Sequence, residues 1–562
     1  MSSHYDEKKS FDDDVRSSPA AAADSEGVAE VYNPALKEAI VKSELSGFSR
    51  RSFMLYFIVM VGFLNAVSSG FDGSLMGGIN AMPQYLHYFD YQSSGKATKV
   101  FTFKDPMSRE IVSVLFSPDL RQKWYVIELP CTSRIFRESK QYGRRGGMFL
   151  GGLFILVGSV VSVTAQSREA FIGGRFVLGF GIAISTTAAP TWVTELAPPQ
   201  WRGRLGAMYN SCFFIGSIPA TGAMVGTQKL STTWAWRLPL LLQIAPPIIV
   251  MSCVWFLPES PRWLISRGRT EEARQILIDY HSNDGQSNAV IELEMAEFLE
   301  QIAVKREDAF WDYRVLFRTR NRRWRMVCLA LMCVNGQLAG NGLITYFLPV
   351  VFQNAGVTST QTQLVYNFAN SILSAFGAFS GAALTDKIGR RRRLFIGSFV
   401  LACLLAMVAA LSSKYGKKGN LDVAGANASI AFIFIFGIVY AFTYTPLQAL
   451  YCAEVMSQDM RAKGMAVHIL ISNIAGFINT FANSVGLQNL GWKYYFVFVA
   501  WDLIASVLWY FLGVETFGRT LEELDEIFDA PWPARASTQT VVVKLNANGT
   551  VNVLGEKEKP RG

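Results

Sequence analysis

Uncharged apolar runs recur along most of this chain, each long enough to cross a hydrocarbon core of ~30 Å as a helix. They fall at approximately 52–71, 146–166, 170–190, 205–227, 238–257, 327–351, 365–384, 394–412, 428–452, 464–487 and 493–513. Such a pattern leaves little length for a separate soluble core. Half of the 562 residues are hydrophobic and 17% are charged, against about 25% charged in soluble domains. The chain reads as an all-α membrane protein.

The formal charge of +9 does not point to nucleic acid. Its basic residues cluster beside the spans, at Arg50–Arg51, Arg144–Arg145, Arg318–Arg325 and Arg390–Arg393, as cytoplasmic loops require. The cysteines lie mostly inside apolar runs (Cys212, Cys253, Cys328, Cys333, Cys403). They read as small core hydrophobes, and neither they nor the four histidines form a metal motif. No cofactor is expected, and no nucleophile–base pair suggests an enzyme.

Residues 1–50 are polar and read as a disordered cytoplasmic tail without a signal peptide. The N-terminal membrane half covers 51–257, a cytoplasmic helical linker 258–326, the C-terminal half 327–513 and a cytoplasmic tail 514–562. Within that tail, apolar-alternating runs flank Asn548-Gly549, a weak hairpin pattern set against an unstructured tail. Parity exposes an anomaly. If all basic clusters face the cytoplasm, one crossing is missing between about 72 and 143. Lys104, Asp105, Arg109, Glu110, Asp119, Arg121, Lys123 and Glu128 interrupt that stretch, and each charge costs ~2.5–3.5 kcal/mol at mid-bilayer. A faulty translation of residues 98–140, such as retained intron sequence, is the favoured explanation over a damaged protein or an altered topology.

Internal repetition is strong. Glu195 and Arg202 in TELAPPQWRGR are answered by Glu454 and Arg461 in AEVMSQDMRAKG, and Arg144–Arg145 by Arg390–Arg391. Glu259 and Arg262 of PESPR close the first half as Glu515 of VETFGR closes the second. The offsets, roughly 250 residues, mark a duplicated unit. Paired Arg and Glu at inner helix ends are expected to act as gating ion pairs, bridging the halves in one conformation and parting in the other.

At these residues the chain resembles the sugar porter family of the major facilitator superfamily. The motifs are GRFVLGFG (174–181), TELAPPQWRGR (194–204), PESPRWL (258–264), DKIGRRRR (386–393), AEVMSQDMRAKG (453–464) and VETFGRTLEELDEIF (514–528). YNSCFFIGSIPA, GQLAGNGLITYF and YTPLQALYCAEV resemble the fungal lactose-permease and hexose-transporter branch. The resemblance implies a twelve-helix bundle of two pseudo-symmetric six-helix halves, its second helix anomalous or absent here. It further implies a midplane sugar site, alternating access and a plasma-membrane location. The Asp that precedes each GRR in the family is Asp386 in the second half, but Lys140 in the first.

A sugar site needs amides, hydroxyls and aromatic faces in a dry cleft. By resemblance Gln337 matches a sugar-binding Gln, and Asn210 stands where the family has Gln. Asn341 and Tyr346 share the Gln337 helix, Gln448 and Tyr451 follow Pro446, and Asn473 lies beside the family's polar position at Ser472. Each of these could instead serve as interhelical hydrogen-bonding glue. Asp72 matches the Asp of proton-coupled members and Arg175 its partner, implying that the carboxylate titrates as the cleft opens and closes. Asp502 is a second acid within a span and reads as a hydrogen-bonded structural residue. The implied partners are a monosaccharide or small disaccharide, a proton and the lipid bilayer, with the protein a monomer. A facilitator, an inactive product or a non-transporting sensor are the alternatives.

Overall fold

A computed structural model describes residues 47–89, 143–304, 313–354, 359–385, 387–415, 423–457, 460–517, 519, 521–545 and 551–558. Helices dominate the described residues. The first half holds α1 (Arg50–Ile79), α2 (Pro83–Tyr88), α3 (Gly143–Thr164), α4 (Arg168–Leu196), α5 (Arg202–Ser211), α6 (Phe213–Thr227), α7 (Trp234–Leu242) and α8 (Ala245–Cys253). Three linker helices follow, α9 (Pro261–Ser266), α10 (Thr270–His281) and α11 (Ala289–Val304). The second half holds α12 (Arg320–Leu338), α13 (Asn341–Asn354), α14 (Thr360–Ala383), α15 (Arg390–Tyr415), α16 (Val423–Thr443), α17 (Leu447–Val455), α18 (Arg461–Leu490) and α19 (Tyr495–Leu512). The tail adds α20 (Leu521–Asp529), α21 (Pro533–Ala536) and the strands β1 (Gln539–Leu545) and β2 (Val551–Glu558), which pair antiparallel. The strands fall on the two runs of the hairpin pattern, and Asn548-Gly549 lies outside the described residues.

Nine helical segments among the described residues are long and apolar enough to span a bilayer. Two of the expected spans lie outside that set, α5–α6 and α14. Their sequences explain it. α14 carries Asn367, Asn370, Ser371 and Ser374, all buried, and α5–α6 carries the buried Ser211, Ser217 and Thr221. These two packed helices form the seam between the halves, so they face protein and need less apolar surface. The missing crossing lies outside the described residues.

Local sequence starts and breaks the helices. Ser49, Ser167, Thr319 and Ser359 each accept a hydrogen bond from a backbone N–H three residues on, satisfying a free donor of the first turn. α12 and α13 are separated at Ala339–Gly340, where Gly340 adopts φ +83°. Such a left-handed turn favours glycine. α16 and α17 are separated around Pro446, and α5 and α6 at Cys212. Membrane helices broken at depth are tolerated where they line protein or a cavity.

The tightest packing joins α1 to α6. A Cβ on Gly216 would stand 1.9 Å from the Val67 carbonyl oxygen, and one on Gly70 1.8 Å from that of Phe213. Backbones therefore touch directly, as small residues permit in membranes. Next to this contact a hydroxyl chain runs Ser74 to Ser217 (2.7 Å) to Ser371 (3.1 Å), linking α1, α6 and α14 across the seam.

Gly216→Ala is expected to destabilise the protein by about 1–3 kcal/mol through overpacking. Gly173→Ala, where an added Cβ meets nothing within 4 Å, should leave stability unchanged or raised. Thermal unfolding of detergent-purified protein, followed by monodispersity, distinguishes the two.

Candidate functional site

One end of the bundle carries the same polar corner twice. In the first half, Arg144 makes a bidentate pair with Glu195 (3.1 and 3.2 Å). Glu259 accepts the backbone N–H groups of Arg144 (3.0 Å) and Arg145 (3.3 Å). In the second, Arg390 pairs with Glu454 (3.3 and 3.0 Å), and Glu515 accepts from the N–H groups of Arg390 (2.8 Å) and Arg391 (3.1 Å). Ser260 donates to Glu195 as Thr516 donates to Glu454 (2.6 Å). Each carboxylate at the opening of α3 or α15 sits on a helix N-terminus, where unsatisfied N–H groups and the helix dipole favour an anion. A Cβ on Gly143 or Gly389 would lie 2.1 or 2.5 Å from that carboxylate and would displace it, and Gly143 also adopts φ +78°.

Every one of these pairs closes within its own half. In this conformation the pairs join residues of one half and the segment that follows it, and none of them joins the two halves. The sequence named no partner for Arg202. Arg202 pairs with Glu294 of α11 (2.9 Å), not with Glu195, and Arg262 lies over the Phe298 ring at 4.6 Å. His281 Nδ1 meets Glu294 at 2.7 Å, and its Nε2 meets the Leu196 carbonyl at 3.0 Å. The linker helices are thereby tied to the inner end of α4 and to α5. Burial works to raise the Glu294 pKa, but His281, Arg202 and Arg262 overcome it and hold the carboxyl below its ordinary 4.5. Arg461 opens α18, and Asp386 lies outside the described residues.

Deeper in the first half, Arg175 of α4 donates to Asp72 of α1 at 2.5 Å. Gln243, at the break between α7 and α8, donates to the same Asp72 oxygen at 3.0 Å. The sequence pointed to the first partner and missed the second, which no motif carries.

In the second half, the helix breaks collect amides. Gln337 ends α12, and Asn341 begins α13, where its Oδ1 accepts from Thr345 (3.4 Å). Gln448 of α17 donates to the Tyr440 hydroxyl (3.3 Å), which donates to the Gly336 carbonyl (2.7 Å). Asn479 of α18 donates to the Gln337 carbonyl at 2.7 Å. Tyr440 and Asn479 were not foreseen. Gln337 and Asn210 are both half-buried, and among the described residues no hydrogen bond to either side-chain amide is found. Asn473 is exposed on α18. The Tyr346 side chain lies outside the described residues.

Tyr451 is corrected. It is fully buried, donates to the Val514 carbonyl (2.9 Å) and packs edge-on against Trp509. That places it in the packing of the second half, one face away from Gln448. Asp502 also departs from expectation. It is buried, with both oxygens lacking a hydrogen-bond partner among the described residues, because the nearby Tyr444 hydroxyl is engaged with Ser398 (2.7 Å).

The sequence matches the profile of the family described as "Sugar (and other) transporter" over residues 57–528. The chain belongs to that family. It is 26% identical over 526 residues to the high-affinity glucose transporter of Kluyveromyces lactis, covering 90% of this chain and 92% of that one. It is 29% identical over 401 residues to the MFS-type transporter oryC of Aspergillus oryzae, covering 70% and 73%. The fold matches the proton:xylose symporter XylE bound to 6-bromo-6-deoxy-D-glucose with a TM-score of 0.64 at 19% identity, over 85% of this chain and 100% of that one. The architecture is that of the major facilitator superfamily, and the protein is a multi-pass membrane transporter, not an enzyme.

Glu294→Gln is expected to cost about 3 kcal/mol or more at neutral pH by taking the carboxylate partner from Arg202 and from the buried His281. A depressed carboxyl stabilises the fold above its unfolded value, and that stabilisation disappears as pH falls through the folded one. Unfolding temperatures of wild type and variant should therefore differ at pH 7 and converge below pH 4.5; a constant gap would contradict the assignment.

Proposed function

We propose that this transporter imports a monosaccharide or small disaccharide across the plasma membrane by proton symport with alternating access. The observation that carries the reading is Asp72, a carboxylate inside the first half whose charge is met by Arg175 and Gln243. A lone charge at mid-bilayer is expensive, and intramembrane acids are commonly proton carriers. Binding a proton removes the anion that holds the Arg175 guanidinium. Losing it restores the pair.

The link to the cargo runs through helices. Asp72 sits two residues from the Gly70 contact with Phe213, and Phe213 lies three residues past Asn210. Two residues beyond Asp72, Ser74 begins the hydroxyl chain to Ser371 of the other half. α1 also packs against α13, which starts at Asn341. A change in how α1 sits against α4 therefore reaches the seam and the amides around Gln337. Those amides suit hydroxyl-rich ligands, and Gln337, Asn210, Asn341 and Gln448 are proposed as the ligand set, with Tyr346 beside them. The twin inner corners are proposed to keep each half rigid while the seam opens.

In sugar-loaded proteoliposomes, one pH unit of gradient is worth about 1.4 kcal/mol per proton, or a tenfold accumulation. Wild type is expected to concentrate its sugar under that gradient. Asp72→Asn should abolish accumulation while retaining sugar exchange. Gradient-independent uptake by the wild type would favour a facilitator and overturn the symport reading.

A further inference from the structure

Three side chains that are far apart in the sequence meet in the second half. Cys333 of α12, Cys452 of α17 and His468 of α18 place their donor atoms within 4.8 Å of one another. Cys333 Sγ lies 3.0 Å from His468 Nδ1, and Ser472, one turn further along α18, is within hydrogen-bonding reach of the same sulfur. Both cysteines are buried, and His468 is partly exposed, leaving one side of the cluster open. The sequence alone made these cysteines plain core hydrophobes, because two sit in separate apolar runs and neither has a nearby histidine in the chain.

We propose that Cys333, Cys452 and His468 form a binding site for one zinc-class divalent cation. Thiolate and imidazole are the donors such borderline-soft ions prefer, and a Cys2His set leaves a fourth position. Here the Ser472 hydroxyl or a water fills it. Tetrahedral bonds of ~2.3 Å to sulfur and ~2.0 Å to nitrogen put donors roughly 3.5–3.8 Å apart. The observed cluster reaches that spacing with side-chain adjustments of about 1 Å or less. Charge favours a divalent over a monovalent ion. Two thiols release their protons to solvent, and two thiolates with M2+ make a neutral complex, whereas a monovalent ion would leave a net negative charge buried among apolar helices.

The position gives the site a consequence. Cys333 lies one turn before Gln337, and Cys452 one turn after Gln448. A bound ion ties α12 and α17 to α18 directly beneath the two helix breaks that present those amides.

The test uses full-length protein in detergent, stripped with chelator and titrated with Zn2+ against a chromophoric competitor, and with Cd2+ as a spectroscopic stand-in. One ion per chain is expected, with the ultraviolet thiolate-to-Cd2+ absorbance of two sulfurs. Cys333→Ser and Cys452→Ser should each halve that absorbance and weaken Zn2+ binding about tenfold or more. His468→Gln, on the open side, should weaken binding while both sulfur contributions persist, and it guards against misfolding of the buried-thiol variants. Cys403→Ser should change nothing. Undiminished binding in the Cys333→Ser/Cys452→Ser double variant, or no thiolate absorbance in monodisperse wild type, would overturn the assignment.

Discussion

Hydrocarbon supplies no hydrogen-bond partner, so every polar group carried into the bilayer has to find its partner within the protein. That constraint explains both the regularity of this chain and its departures. Where sequence is apolar, helices satisfy their own backbones. Where helices break, at Cys212, Ala339–Gly340 and Pro446, freed groups and amides concentrate, and the Gly336 and Gln337 carbonyls are taken up by Tyr440 and Asn479. Asp72 obeys the same rule with two donors on its carboxylate.

The twin corners show how duplication solves a mechanical problem. A carboxylate resting on two backbone N–H groups and a neighbouring bidentate Arg–Glu pair lock three helix ends at once, in each half separately. Charge-assisted bonds of this kind are strong and directional. In the proposed cycle each half moves as a locked unit and the seam is where they part. There the contacts are small side chains and hydroxyls, such as Ser217 against Ser371 and Ser211 against the Ala378 carbonyl. Such contacts are individually weak in membranes, which suits surfaces that must slide.

Much of this was legible in the sequence. Charge-free runs place spans because lipid penalises charge at any position, independent of tertiary detail. Their ends were read short. α1 continues to Ile79, eight residues past the end of its apolar run, since a helix packed against protein need not stop at the hydrocarbon edge. Motif matches located Arg144, Glu195, Glu259 and their counterparts, and Asp72 with Arg175. Pairing was harder. The seven-residue spacing of Glu195 and Arg202 marked the repeat but named no partner; α4 ends between them, so the chain turns and Arg202 faces Glu294. Gln243, Asn479 and the Cys333–Cys452–His468 cluster escaped notice because their partners lie on other helices, more than a hundred residues away in most cases. Tyr451 was misplaced for a related reason. After a break, a short helix such as α17 can start at any rotation, and periodicity cannot say which face looks inward.

Luminal pH recorded while sugar enters proteoliposomes, with no gradient imposed beforehand, tests most directly whether Asp72 carries a proton inward with the cargo. Acidification that starts with sugar addition, scales with the sugar taken up and vanishes in Asp72→Asn is the predicted result. Sugar entry at the same rate with a flat pH trace would contradict it.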